Sequence, residues 1–206
     1  MDNQTKRIFG AGLSALGTVV AAIGSTPTII ESIYLRRDIS LVGNILQASG
    51  NSLQAEAEEG LPFEKVGNEI QAVGNTTVAA GIVLNVDEET ETRLIITGNW
   101  IQALGGATAI GELLEESPNA GFPFHVIGNI LQVIGNSMQA LSGGIELVGD
   151  GEATLNPNEV NDRETLEVNG SWIQAVGSVL TLLGVIKETE EIEVSTPLLS
   201  NNNEGE

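Results

Sequence analysis

The chain has 206 residues, enough for one compact domain and short of what two usually need. It carries 8 Lys+Arg against 28 Asp+Glu, a formal charge of -20, with one histidine and no cysteine. Without thiols there is no cysteine-ligated zinc, cysteine nucleophile or disulfide scaffold; the negative charge repels the phosphates of nucleic acid; and 41% hydrophobic residues exclude a wholly disordered acidic chain.

Six stretches lack charge: residues 8–30, 39–55, 70–86, 94–111, 117–145 and 168–186. Acidic connectors separate them, and the end of the chain, 188–206, reads as an acidic disordered tail behind a single repeat domain at 1–187. The first stretch follows Lys6-Arg7 and keeps glycines at Gly10, Gly17 and Gly24. It passes for a short membrane span or a signal peptide, but its glycine register matches the later copies, so it reads as the first repeat. The second holds Gly43-Asn44-Ile45-Leu46-Gln47-Ala48-Ser49-Gly50-Asn51, and the third Gly67-Asn68-Glu69-Ile70-Gln71-Ala72-Val73-Gly74-Asn75. The fourth has the tryptophan form Gly98-Asn99-Trp100-Ile101-Gln102-Ala103-Leu104-Gly105. The fifth returns to Gly128-Asn129-Ile130-Leu131-Gln132-Val133-Ile134-Gly135-Asn136, and the sixth is Gly170-Ser171-Trp172-Ile173-Gln174-Ala175-Val176-Gly177. Pro62-Phe63 to Gly67 and Pro123-Phe124 to Gly128 match 61 residues apart, which reads as duplication of a two-segment unit.

Glycines seven apart lie about two helical turns apart and stack on one side, drifting ~20° per heptad. Ile130, Leu131 and Ile134 fall on one arc of about 100°, with Asn129 and Gln132 opposite. Strand alternation fails, because Ile-Gln-Ala-Val puts nothing consistent on either face. The expected fold is therefore all-α: an antiparallel bundle of about six glycine-rich amphipathic helices built from internal repeats. Each glycine costs about 1 kcal/mol relative to alanine in a helix, a loss that close helix packing can recover. The expected packing face comprises Gly10, Gly17, Gly43, Gly50, Gly67, Gly74, Gly98, Gly105, Gly128, Gly135, Gly170 and Gly177. A second face carries Asn44, Gln47, Asn68, Gln71, Asn99, Gln102, Asn129, Gln132 and Gln174. It avoids the Glu and Lys of an ordinary wet surface, and is either a second packing surface or an exposed polar stripe.

No catalytic, cofactor-binding or metal-binding residue emerges, and the chain is expected not to be an enzyme. His125 occupies the place of Glu64 in the matching copy and is expected at the surface. The connector from Asp150 to Asp162 lacks the residue order of an EF-hand calcium loop. Amides within the stretches, such as Asn44, Gln47, Asn51 and Gln54, are costly for a lone helix in lipid, and the connectors show no basic asymmetry. The expected location is the cytoplasm, with membrane association as the alternative. The expected partner is a second copy or another protein, and not nucleic acid.

The repeated Gly-Asn-x-Ile/Leu-Gln-Ala-x-Gly-Asn core, from Lys6 through Ser25-Thr26-Pro27 to about Ile186, resembles a family of uncharacterised repetitive proteins of spore-forming Gram-positive bacteria. That resemblance implies a bacterial, non-enzymatic protein and no mechanism. The function expected is structural or protein-interacting, with helices packing through Gly/Ala and Asn/Gln faces; a membrane-associated or membrane-inserting helical protein is the alternative.

Overall fold

Short polar side chains start the helices. Asp2 accepts the Thr5 N–H at 2.8 Å and the Thr5 hydroxyl at 2.9 Å, and Asp87 takes Thr90 in the same way at 2.9 and 2.7 Å. Ser32 accepts from Leu35 N, and Asn119 from the N–H groups of Gly121 and Phe122. Between the second and third helices the chain turns at Gly60, whose φ of 75° favours glycine. The computed structural model describes residues 1–60, 62–113, 119–148 and 157–200. These form six α-helices and no strand: α1 (Asn3–Ser25), α2 (Ile33–Ala57), α3 (Phe63–Val83), α4 (Glu88–Leu113), α5 (Phe122–Val148) and α6 (Pro157–Ser200).

Each helix packs on its neighbours in the chain, and α6 returns to α1, so the six form a closed ring. The glycine pairs set the direction of each hairpin. Gly10 meets Gly50 and Gly17 meets Gly43 between α1 and α2; Gly67 meets Gly105 and Gly74 meets Gly98 between α3 and α4; Gly128 meets Gly177 and Gly135 meets Gly170 between α5 and α6. One number rises as the other falls, so each pair is antiparallel. The ring is three similar hairpins about one axis, with the starts of α1, α3 and α5 together at its first end.

Residues 188–200 of the expected tail continue α6 as one helix, where Lys187 and Glu190 pair at 2.8 Å; residues 201–206 lie outside the described residues. So do residues 150–156 of the acidic connector.

Candidate functional site: an amide-lined axis

The interior is built from small and amide side chains. Among the described residues, the buried hydrophobic side chains are alanines together with Val78 and Val185. The large ones point outward: Ile45 is 51% exposed, Val73 58%, Leu104 59% and Val176 52%, while Gln47, Gln102 and Gln174 are 3%, 2% and 5% exposed. The arc of Ile130 and Ile134 lies on the outside of the ring, and Asn129 and Gln132 lie within it.

All twelve glycines named above stand at the contacts within hairpins. A Cβ on any of them would lie 2.5 to 2.8 Å from the carbonyl oxygen of its partner glycine, closer than real Cβ atoms come to a backbone oxygen. The backbones approach that nearly because no side chain intervenes. This closeness turns the residues following each glycine toward the axis, which explains why glycine and amide positions share the interior.

All nine amides named above are buried. Asn44, Gln47, Asn99, Gln102 and Gln174 line one cavity of about 180 Å³ toward the second end. Asn68, Gln71, Asn129 and Gln132 line another of about 20 Å³ toward the first. Between the cavities, Gln174 Nε2 donates to Gln47 Oε1 at 3.0 Å and to Gln102 Oε1 at 3.1 Å, joining one glutamine from each hairpin on the axis. Gln139 Nε2 completes the cluster by donating to Gln174 Oε1 at 3.0 Å. The repeat aligns these glutamines: each stands four residues after Gly43, Gly98 or Gly170. The same alignment finds interior polar residues outside the expected amide face, namely Ser14, Thr18, Asn51, Gln54, Asn75, Asn136 and Gln139. Ser14 donates to Asn51 Oδ1 at 2.8 Å and accepts from Gln54 at 3.3 Å. Asn75 and Asn129 donate to carbonyls one turn back, those of Gln71 and His125, at 3.0 Å.

Charged groups collect at the ends of the axis. Three residues before Gly10, Gly67 and Gly128 stand Arg7, Glu64 and His125. His125 is therefore buried, not at the surface as expected: position −3 from the glycine faces inward, and α5 already begins at Phe122. Arg7 binds Glu58 at 2.7 Å, Glu188 at 3.0 Å and Glu64 at 3.6 Å, and His125 Nε2 stands 3.7 Å from Glu188. The carboxylates surround a guanidinium, and among the described residues no group of three or more His, Asp or Glu is disposed to hold a metal ion. At the second end Arg37 bonds Glu91 and the Ile82 carbonyl, and Arg163 pairs with Glu146 at 3.2 Å.

Among the described residues, two helices are long and apolar enough to cross a membrane, Asn3–Ser25 and Pro157–Ile192. The hydropathy of the others is lowered by amides, and those amides face inward. No curated protein and no solved structure matches the chain. A family model described as a family of unknown function (DUF6944) covers residues 5–182, most of the chain, and the protein belongs to that family.

Proposed function

We propose that the protein is a structural membrane protein: its helices pack through glycine and Asn/Gln faces, and the bundle stands in a lipid bilayer with its apolar side chains against the acyl chains. The observation that carries the reading is the inversion of the bundle, with large aliphatic side chains outside and amides inside. In water this arrangement forfeits most of the gain from burying aliphatic groups. In lipid the outward Leu, Ile and Val are already in an apolar solvent, and helix association rests on close packing of small residues and on interhelical hydrogen bonds. The amides that would be costly for one span satisfy each other across the axis.

The dimensions agree. The shortest helix, α3, has 21 residues, about 31 Å at 1.5 Å per residue, against a hydrocarbon core of about 30 Å. Lys6, Arg7, Lys65 and Lys187 stand toward the first end, and Arg36, Arg37, Arg93 and Arg163 toward the second, so the basic residues favour neither orientation. The charge of -20 argues against a nucleic-acid partner.

A competing reading keeps the protein in the cytoplasm with its outer face covered by further copies; exposed Glu69 on the outside of α3 favours it. Membranes from cells expressing the full chain, washed with alkaline carbonate and then detergent, separate the two. Retention through carbonate with release by detergent is expected. Release by carbonate as a large soluble assembly would overturn the membrane reading and select the other.

A further inference from the structure

We propose that the amide-lined axis is a path for water and other uncharged hydrogen-bonding molecules of similar size, closed at its middle by the Gln47–Gln102–Gln174 cluster. The inference rests on the membrane reading, and deepens it by naming what the axis takes.

Polar surface runs along the axis on both sides of the cluster. The larger cavity, about 180 Å³, is lined by amides or hydroxyls from all three hairpins, with Arg37, Glu91 and Glu167 at its outer end, and the smaller, about 20 Å³, has room for a single water. Between them Thr18, Asn75 and Asn136 directly follow Gly17, Gly74 and Gly135, at the level where those glycines meet Gln47, Gln102 and Gln174. Asn75 and Asn136 are each 1% exposed. Asn75 Oδ1 and both side-chain polar atoms of Asn136 find no hydrogen-bond partner among the described residues. Asn68, Gln71 and Asn75 share one helix face, as do Asn129, Gln132 and Asn136, and the first two of each trio line the smaller cavity. Buried polar groups are almost always paired with protein or water. These atoms supply both an acceptor and a donor at the level of the glutamine cluster, which suits a molecule that can donate and accept in turn.

The same lining disfavours ions. The central amide layers carry no charged residue, so an ion there would lose its hydration without meeting a counter-charge. Each mouth holds charges of both signs, Arg7 among Glu58, Glu64 and Glu188 at one and Arg37 beside Glu91 at the other. Carboxylates outnumber the guanidinium at the first mouth, which repels anions, while a cation gathered there would still have to shed its water at the uncharged amide layers. Gln174 bridges the other two glutamines, so its side chain must turn for the path to open.

The test is reconstitution of the full chain into lipid vesicles, with osmotic shrinkage followed by light scattering. Potassium and proton fluxes are measured on the same vesicles, and so is protein retention through alkaline carbonate. Retained protein should make vesicles shrink several-fold faster than empty ones, with ion fluxes at the level of empty vesicles. Gln174→Ala should raise water permeability further by removing the bridge, and Asn136→Leu should abolish the increment. Retained, helical protein whose vesicles shrink no faster than empty ones would overturn the path and leave the membrane reading standing. Loss of the protein to carbonate would overturn both. Ion flux rising together with water would overturn the selectivity for uncharged molecules. If Gln174→Ala and Gln102→Ala, each retained, both left water permeability unchanged, the path would not cross the glutamine cluster.

Discussion

Replacing Gly135 and Gly144 by alanine should move stability in opposite directions, although both lie in α5 and the chemical change is the same. A Cβ on Gly135 would stand 2.5 Å from the Gly170 carbonyl oxygen and 2.7 Å from Gln174 N, both backbone atoms. Neither can move without shifting α6. Around Gly144 there is nothing within 4 Å. Alanine gains about 1 kcal/mol over glycine in a helix interior, and at Gly144 nothing opposes that gain. At Gly135 the overpacking costs about 1–3 kcal/mol, toward the upper end because the contacts are rigid, leaving a net loss of about 1–2 kcal/mol. For a chain of this size 1 kcal/mol corresponds to roughly 2–4 °C, so Gly135→Ala should melt about 2–8 °C below the parent and Gly144→Ala about 2–4 °C above it. Thermal unfolding in one detergent, read by circular dichroism and tryptophan fluorescence, measures both. Trp172 is a useful reporter because its indole N–H donates to Thr26 at 3.0 Å across the α6–α1 closure. A Gly135→Ala protein melting at or above the parent would refute the close backbone approach, and with it the account of why the glycines recur every seven residues.

Two lysine substitutions separate the inside of the ring from its outside. Asn129→Lys places an ammonium on the axis and should lower stability by several kcal/mol, measured by thermal melting; an unchanged melt would mean that Asn129 is not buried. Leu104→Lys, on the outer face, should cost about 2.5–3.5 kcal/mol of membrane insertion and reduce retention through carbonate, whereas an outer face in water would tolerate it. The helix caps predict the response to acid. The Thr5 backbone N–H, then its hydroxyl, hold the Asp2 carboxyl below its ordinary value of 3.8, and the Thr90 hydroxyl, then its N–H, do the same for Asp87. Carboxyls depressed in the folded state stabilise it fully above that ordinary value, and the stabilisation fades as pH falls through the lower folded values. Amide-exchange protection, taken relative to the intrinsic rate at each pH, should therefore fall at the starts of α1 and α4 below about pH 4. In Asp2→Asn and Asp87→Asn, unchanged acid dependence at those two helix starts would show that the carboxylates are not its cause.

The sequence by itself determined the elements and their faces. Seven-residue glycine spacing selects helix over strand, and the six uncharged stretches correspond to α1 through α6. The periodicity also separates Ile130 and Ile134 from Asn129 and Gln132 around the helix. The group of Arg7, Glu64 and His125 was within reach as well, since each stands three residues before the first glycine of its copy. The alignment groups His125 with Arg7 and Glu64, but its burial beside Glu188 of α6 comes from the tertiary structure.

Only the tertiary structure decided which face of each helix turns inward. Period and composition distinguish an aliphatic arc from an amide arc, but they carry no sign, because the same amphipathic helix can bury either arc according to the solvent outside it. The sign comes from contacts between segments distant in sequence. Gly135 against Gly170 brings two backbones too close for any side chain, and the residues beside each glycine must then fill the axis. Gln174 finds its acceptors 127 and 72 residues away, on Gln47 and Gln102, a pairing that exists only once three hairpins have closed into one ring.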